Sequence, residues 1–290
     1  PRLNQGSGGR RDLWLLDSAI LLRSGTRLDL DGCRLQLSDH CRDNFMRSAN
    51  RAPDGRATER LENIHIRGLG GAVLEGADHP RATGDTAKRL GERTYGTDAR
   101  VPGENQNGDW RNFGILLSHV DGLRIENLAV KDSHCWAITL EDCTRGTLRD
   151  LEFDSSGFKV IDGRRQTILN QDGIDLRTGC HDILIENISG QTGDDLIALT
   201  AIPPAGAAPD PAYDIRHVAV RNIRGYCRGG HHIVRLLNTP GARLYDVVID
   251  GLIDTSPAGF QCAAAVKIGD TRYGGGMAPL SPMPLTPNSV

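Results

Sequence analysis

The sequence predicts an all-β solenoid, a single chain coiled turn upon turn with its strands stacked in parallel. Three observations carry that prediction. A short strand pattern returns six times along the 290 residues. Its copies have the period-2 alternation of a half-buried strand and are rich in Gly, Asn, Asp and β-branched residues, where helical repeats would need a helix in every unit. Glycine is abundant at 35 residues while aromatics make up 4%, a composition suited to many short strands joined by many turns.

The elements follow in order. Residues 13–37 hold Leu13, Leu15, Leu16, Ile20, Leu21, Leu22, Leu28, Leu30, Leu35 and Leu37 with Ser-Gly and Asp-Gly between them, which reads as the first turns of the coil. The repeated unit runs Asn63 to Leu69, Gly122 to Leu128, Asp182 to Ile188, His217 to Ile223 and Asp246 to Leu252, with a weaker copy at Thr147 to Phe153. Spacing is uneven, 24 or 25 residues from Leu123 to the Thr147 copy and 35 from Ile183 to Val218, so loops of different length must leave the coil. Asn127, Asn187 and Asn222 take one place in the unit and are expected to stack as a structural ladder of amides. Gly76 to Trp110 shows no strand pattern and is expected to be a long loop that either walls a cleft or makes an oligomer contact, with a short helix at Thr86 to Tyr95. Ala201 to Tyr213, with its prolines and alanines, reads as a second excursion, and 277–290 as an irregular tail ending where a further turn would start.

Composition narrows the function. The net charge is -3, from 34 basic and 37 acidic residues in no long run, which gives no reason to expect nucleic acid or a membrane surface as partner. No run of 18 apolar residues suggests a membrane-spanning helix. The seven cysteines, Cys33, Cys41, Cys135, Cys143, Cys180, Cys227 and Cys262, form no Cys-x-x-Cys pair, which argues against a zinc site; they read as small buried hydrophobes, with a Cys135–Cys143 disulfide left open. No signal peptide is visible at Pro1, so the sequence reads as a mature or trimmed form; a secreted or periplasmic location is favoured.

The chemistry concentrates between Asn170 and Ala201. Asn170-Gln171-Asp172-Gly173-Ile174-Asp175 and Gly193-Asp194-Asp195 flank the strand pattern His181 to Ile188. If one turn takes about 22 residues, Asp172 and Asp194 stack on neighbouring turns with backbones roughly 4.8 Å apart. Carboxylates that close disfavour each other's ionisation, which keeps one of them protonated.

In order along the chain, Asn170-Gln171-Asp172, Gly193-Asp194-Asp195, Gly230-His231 and Lys267 in Val266-Lys267-Ile268 resemble the signatures of glycoside hydrolase family 28, the polygalacturonase and rhamnogalacturonase group. The resemblance implies a right-handed parallel β-helix and an inverting hydrolase acting on a polysaccharide or oligosaccharide, without cofactor or metal. It implies Asp194 as general acid, Asp172 and Asp195 as the pair that holds and deprotonates water, and His231 as the histidine that tunes the acid. Asn170, His232, Arg235 and Lys267 are the expected substrate contacts. Asp175 is expected to be structural.

Three positions depart from the family pattern: Gln171 stands for threonine, His232 for glycine, and Ala265 for the arginine preceding the lysine. An alanine cannot replace a bidentate guanidinium, so polygalacturonate is expected to be a poor substrate unless Arg235 or a loop arginine substitutes. Two other classes compete: a lyase of similar fold, which would need calcium and an Arg or Lys base, and a glycan-binding solenoid without turnover.

Overall fold

The computed structural model describes residues 12–41, 43–52, 56–80, 110–204, 206–228 and 230–269. The chain is a parallel β-helix, as the sequence predicted. Long and short strands alternate, and each kind stacks on its own kind: Val120–Lys131, Thr144–Asp154, His181–Thr192, Ile215–Cys227 and Leu244–Asp254 in one sheet, Ile115–Ser118, Ile138–Glu141, Ile174–Arg177, Ile197–Ala201, His232–Asn238 and Ala264–Ile268 in the other. Each successive pair within these sheets is parallel.

The apolar alternation read from the sequence is the register of the core. Ile183 pairs with Val218 and Val218 with Val247, while Ile185, Val220 and Ile249 form the next column. All but the last turn's Val247 and Ile249 are buried, and those two pack against the same cluster. Burying such side chains contributes roughly 1.5–3 kcal/mol each. The weaker copy at Thr147 pairs with Arg124, an offset of 23 rather than 24 or 25 residues (147 − 124). Its oddity is Gly146, at the place of Leu123 and Ile183. A Cβ there would lie 2.7 Å from Ile183 Cδ1 and 3.1 Å from Leu123 Cδ1, so the neighbouring turns fill the space that Gly146 leaves.

The long strands are bent at two corners, each occupied turn after turn by a residue of positive φ. One column is Gly122, Arg145, Asp182, His217 and Asp246; the other is Asn127, Asp150, Asn187, Asn222 and Gly251. Asn and Asp tolerate this left-handed conformation better than most residues. The expected amide ladder is present in part: Asn222 Nδ2 donates to Asn187 Oδ1 at 2.7 Å and Asn187 Nδ2 to Asp150 Oδ1 at 2.9 Å, while Asn127 Nδ2 donates instead to the Gly68 backbone carbonyl at 2.7 Å. Asp150 is a rung that the asparagine pattern did not reveal. In the column that starts at Gly122, His217 sits between two aspartates, its Nδ1 3.2 Å from Asp182 and its Nε2 3.4 Å from Asp246.

The seven cysteines are unbridged. Cys41, Cys143, Cys180 and Cys227 belong to the main core, whereas Cys135 packs with Trp110, Phe113, Leu116 and Trp136 in a second cluster, away from Cys143. Of the loop expected at Gly76 to Trp110, residues 81–109, with the short helix and cleft wall assigned to them, lie outside the described residues, as does the tail 277–290. The excursion after Ala201 closes on a one-turn 3-10 helix, Pro211–Tyr213, capped by Asp210, whose side chain accepts from the Ala212 N–H at 2.8 Å. An excursion not read from the sequence is the antiparallel hairpin Phe158–Ile161 with Arg164–Thr167. It turns on Asp162-Gly163, both at positive φ, the Asp-Gly signature of a type I′ turn.

Candidate active site

The acidic clusters sit at the corner where the chain passes from a long strand to a short one. Asp172 precedes Ile174–Arg177, and Gly193-Asp194-Asp195 fills the gap between His181–Thr192 and Ile197–Ala201. The short strands pair Ile174 with Ile197 and Ile197 with Val234. Followed back, that register sets Asp172 level with Asp195 and His232, and Gln171 level with Asp194 and His231. Backbone bonds agree: Gly173 N–H donates to the Asp195 carbonyl at 3.0 Å, and Leu196 N–H to that of His232 at 3.0 Å. Neighbouring turns are therefore offset by 23 residues here, and the aspartate stacked on Asp172 is Asp195, not Asp194. The corner adds one residue that a count of 22 misses.

Gly193 lies outside the positive-φ region, and what requires glycine here is close approach: a Cβ would stand 2.5 Å from the Gly157 Cα. The base of the hairpin thus rests on the acidic loop. Gln171, 1% exposed, is the brace between them. Its Nε2 donates to the Ser133 carbonyl at 2.6 Å, its Oε1 accepts from Gly157 N–H at 2.8 Å, and its carbonyl accepts from Gly193 and Asp194 N–H at 3.1 and 3.3 Å. Thr192 fixes the other side, its hydroxyl donating to the Asp194 carbonyl at 2.7 Å. Neither residue stood out as functional in the sequence; the one signal was Gln171 in place of the family's threonine.

Two carboxylates that adjoin in sequence face different surroundings. Asp194 accepts the Asp195 N–H at 2.9 Å and lies 2.9 Å from His231 Nδ1, with part of both side chains open to solvent. Hydrogen bonding to Asp194 raises the His231 imidazole above its ordinary value, against the opposing pull of burial. Asp195 is fully buried. It receives His232 through both backbone N–H (2.9 Å) and Nδ1 (2.7 Å), and Arg235 NH1 at 3.3 Å. Burial of a carboxylate costs several kcal/mol unless donors of this kind compensate it. Asp194, Asp195 and His231 each offer an atom within 4.8 Å of the others, a set of two oxygens and one nitrogen that could also receive a divalent cation.

Of the expected substrate contacts, His232 and Arg235 are brought together on Asp195. Lys267 pairs with Arg235 in the next turn, in a column with Ala198 and Asp175. The residues on either side, such as Ile174, Leu176, Ile197 and Leu199, belong to the core, so this column faces away from it. Asp175, 1% exposed, lies on the Arg235 side of the sheet. Asn170 stands at the corner before Asp172 with φ 55°, and Ala265 is exposed.

Fold and site together define a parallel β-helix with an acidic, histidine-flanked centre at one corner of its turns. Residues 100–234 match the family model for glycosyl hydrolases family 28, a stretch that holds Asn170, Asp172, Asp194, Asp195, His231 and His232 and stops short of Arg235 and Lys267. No curated protein matches the sequence. Similar solved structures include the polygalacturonase of Erwinia carotovora ssp. carotovora, 17% identical with a TM-score of 0.47, covering 86% of this chain and 71% of that one. A family 28 exopolygalacturonase of Yersinia enterocolitica is 14% identical with a TM-score of 0.43, and the match covers 89% of this chain and 62% of that one. PfbA, a surface adhesin of Streptococcus pneumoniae, is 10% identical with a TM-score of 0.36, over 88% and 67%.

Proposed function

We propose that the protein is an inverting glycoside hydrolase acting on a pectin-like polysaccharide or oligosaccharide. The observation that supports this reading is the meeting of three aspartates at one corner, with Asp172 level with Asp195, Asp194 partly open beside His231, and Asp195 buried under His232 and Arg235. Glycoside hydrolysis through an oxocarbenium-like state needs one carboxyl that gives a proton and one that takes it. Asp194 shares a proton with His231 at the open side of the site and supplies it to the leaving oxygen. Asp195, fixed by His232 and Arg235, stays an acceptor, and with Asp172 level on the neighbouring turn it holds the attacking water and removes its proton. The proton lost by Asp194 is recovered from solvent through His231, and the water's proton leaves from Asp172 or Asp195, so the enzyme returns to its starting state.

The substrate contacts follow from what remains available. Arg235 is engaged by Asp195, so it does not stand in for the arginine missing at Ala265; Lys267 is the cation left in the column to meet the sugar, with Asn170 at the corner above. A secreted or periplasmic location suits such a substrate.

The test is incubation with a panel of plant and microbial glycans, with reducing ends measured and the first-formed anomer followed by proton NMR. Release of the inverted anomer, undiminished by a chelator, is expected. Retention of configuration would refute the assignment of roles. An unsaturated product absorbing in the ultraviolet would identify a lyase, and binding without release of reducing ends would identify a glycan-binding solenoid.

A further inference from the structure

We propose that Cys227 and Cys262 form a thiol–disulfide exchange site that cross-links two successive turns of the coil beside the aspartate cluster. Cys227 ends the long strand Ile215–Cys227, and Cys262 lies one turn on, just before Ala264–Ile268. The Cys227 N–H donates to Cys262 Sγ at 3.1 Å, which sets the second sulfur against the backbone of the first residue. A side-chain sulfur stands only about two bonds from its own backbone, so the two thiols are neighbours, and side-chain rotation is what would bring them to bonding geometry. The pair is tied to the site. Cys227 Sγ donates to the His232 carbonyl at 2.7 Å and lies 3.6 Å from the Thr192 hydroxyl, the group that donates to the Asp194 carbonyl.

The two thiols have complementary character. Cys227 is 2% exposed and its thiol is pushed far up by burial. Cys262 is half-exposed, and its thiol is drawn down to about 6, first by the neighbouring Cys227 side chain and then by the Cys227 N–H and Ser256. Cys33, the other half-exposed cysteine, is pushed up by burial, and the remaining four are buried. A low thiolate pKa with solvent access is what selects one cysteine for reaction among several. The co-reactant is a low-molecular-weight disulfide, RSSR. The Cys262 thiolate attacks one of its sulfurs, forming Cys262–S–SR and releasing RS⁻. The RS⁻ just released takes the Cys227 proton, and the Cys227 thiolate so formed attacks the Cys262 sulfur and expels the second RS⁻. One dithiol is oxidised and one disulfide reduced, and electrons and protons balance. The product loses the Cys227 bond to the His232 carbonyl and closes a covalent loop between residues 227 and 262.

The experiment incubates the purified chain with glutathione disulfide at pH 7, quenches with acid, alkylates the remaining thiols and maps the peptides by mass. The expected product joins the Cys227 and Cys262 peptides, forms at least about tenfold faster than any modification of Cys33, and raises Tm by on the order of 5 °C. Cys262→Ser should lose both the cross-link and the thermal shift, and Cys227→Ala should stop at the glutathione adduct on Cys262. A wild-type chain that also stops at that adduct, a Cys262 that alkylates fully after oxidation, or the same thermal shift in Cys262→Ser would overturn the proposal. Neither readout depends on hydrolysis, so the outcome stands apart from the enzymatic reading.

Discussion

Replacing Asp194 by Asn separates the chemistry of the site from its architecture. The amide oxygen can still accept the Asp195 N–H now received at 2.9 Å, and it keeps its place opposite His231 Nδ1. What disappears is the transferable proton and the charge assistance on a pair that is partly solvated, a loss of about 1 kcal/mol at most. For a chain of this size that lowers Tm by roughly 2–4 °C. Loss of a general acid lowers turnover by about 10²-fold or more, which at 1.36 kcal/mol per factor of ten is about 2.7 kcal/mol of barrier. KM should change little, because the proton is used in the transition state rather than in binding. The assay is kcat and KM on the best glycan found, repeated on an aryl glycoside whose leaving group needs no protonation; there the deficit should shrink severalfold. Equal turnover of Asp194→Asn and wild type on the poor leaving group would refute the hydrolase assignment.

Three further outcomes are expected. The protonated form of His231 is the one favoured by folding, since its pKa is raised by Asp194; the associated stability is present below the ordinary value of about 6.5 and is lost as pH rises through the folded value. Rate should fall over the same window, a profile that a His231→Gln enzyme would not show. Gly193→Ala should cost about 1–3 kcal/mol through the clash with Gly157 and lower both Tm and rate, read by thermal denaturation and kinetics; an unchanged Tm would mean the hairpin does not press on the loop. Polygalacturonate should be turned over poorly and Ala265→Arg should improve it selectively; turnover equal to the best substrate in the unmodified chain would show that Ala265 does not occupy the arginine's place.

The sequence revealed the strands because their inward columns repeat with period 2, and Ile183, Val218 and Val247 stand in one column as their spacing in the unit required. It revealed the aspartates because Asn-x-Asp and Gly-Asp-Asp are local patterns. It did not reveal which aspartate stacks on which. Register is set by the pairing of Ile174 with Ile197 beyond the corner, and a count of residues between motifs cannot see how many of them the corner consumes. The same blindness hid the targets of His232 and Arg235, whose partner is 37 or 40 residues away. Gln171 was hidden because its three elements, at Ser133, Gly157 and Gly193, meet only after folding.

The two corner columns act as a ruler. In five consecutive turns the positive-φ positions are five residues apart, at 122 and 127, 145 and 150, 182 and 187, 217 and 222, and 246 and 251. Over the same span the turn length swings between 23, 37, 35 and 29 residues (122 to 145, 145 to 182, 182 to 217, 217 to 246). All the variation is therefore discharged outside the measured edge, into features such as the hairpin at 158–167 and the excursion after Ala201. One wall of the molecule is gauged and the others are free to lengthen, so new rims can be grafted around the acidic corner without disturbing the frame that holds it.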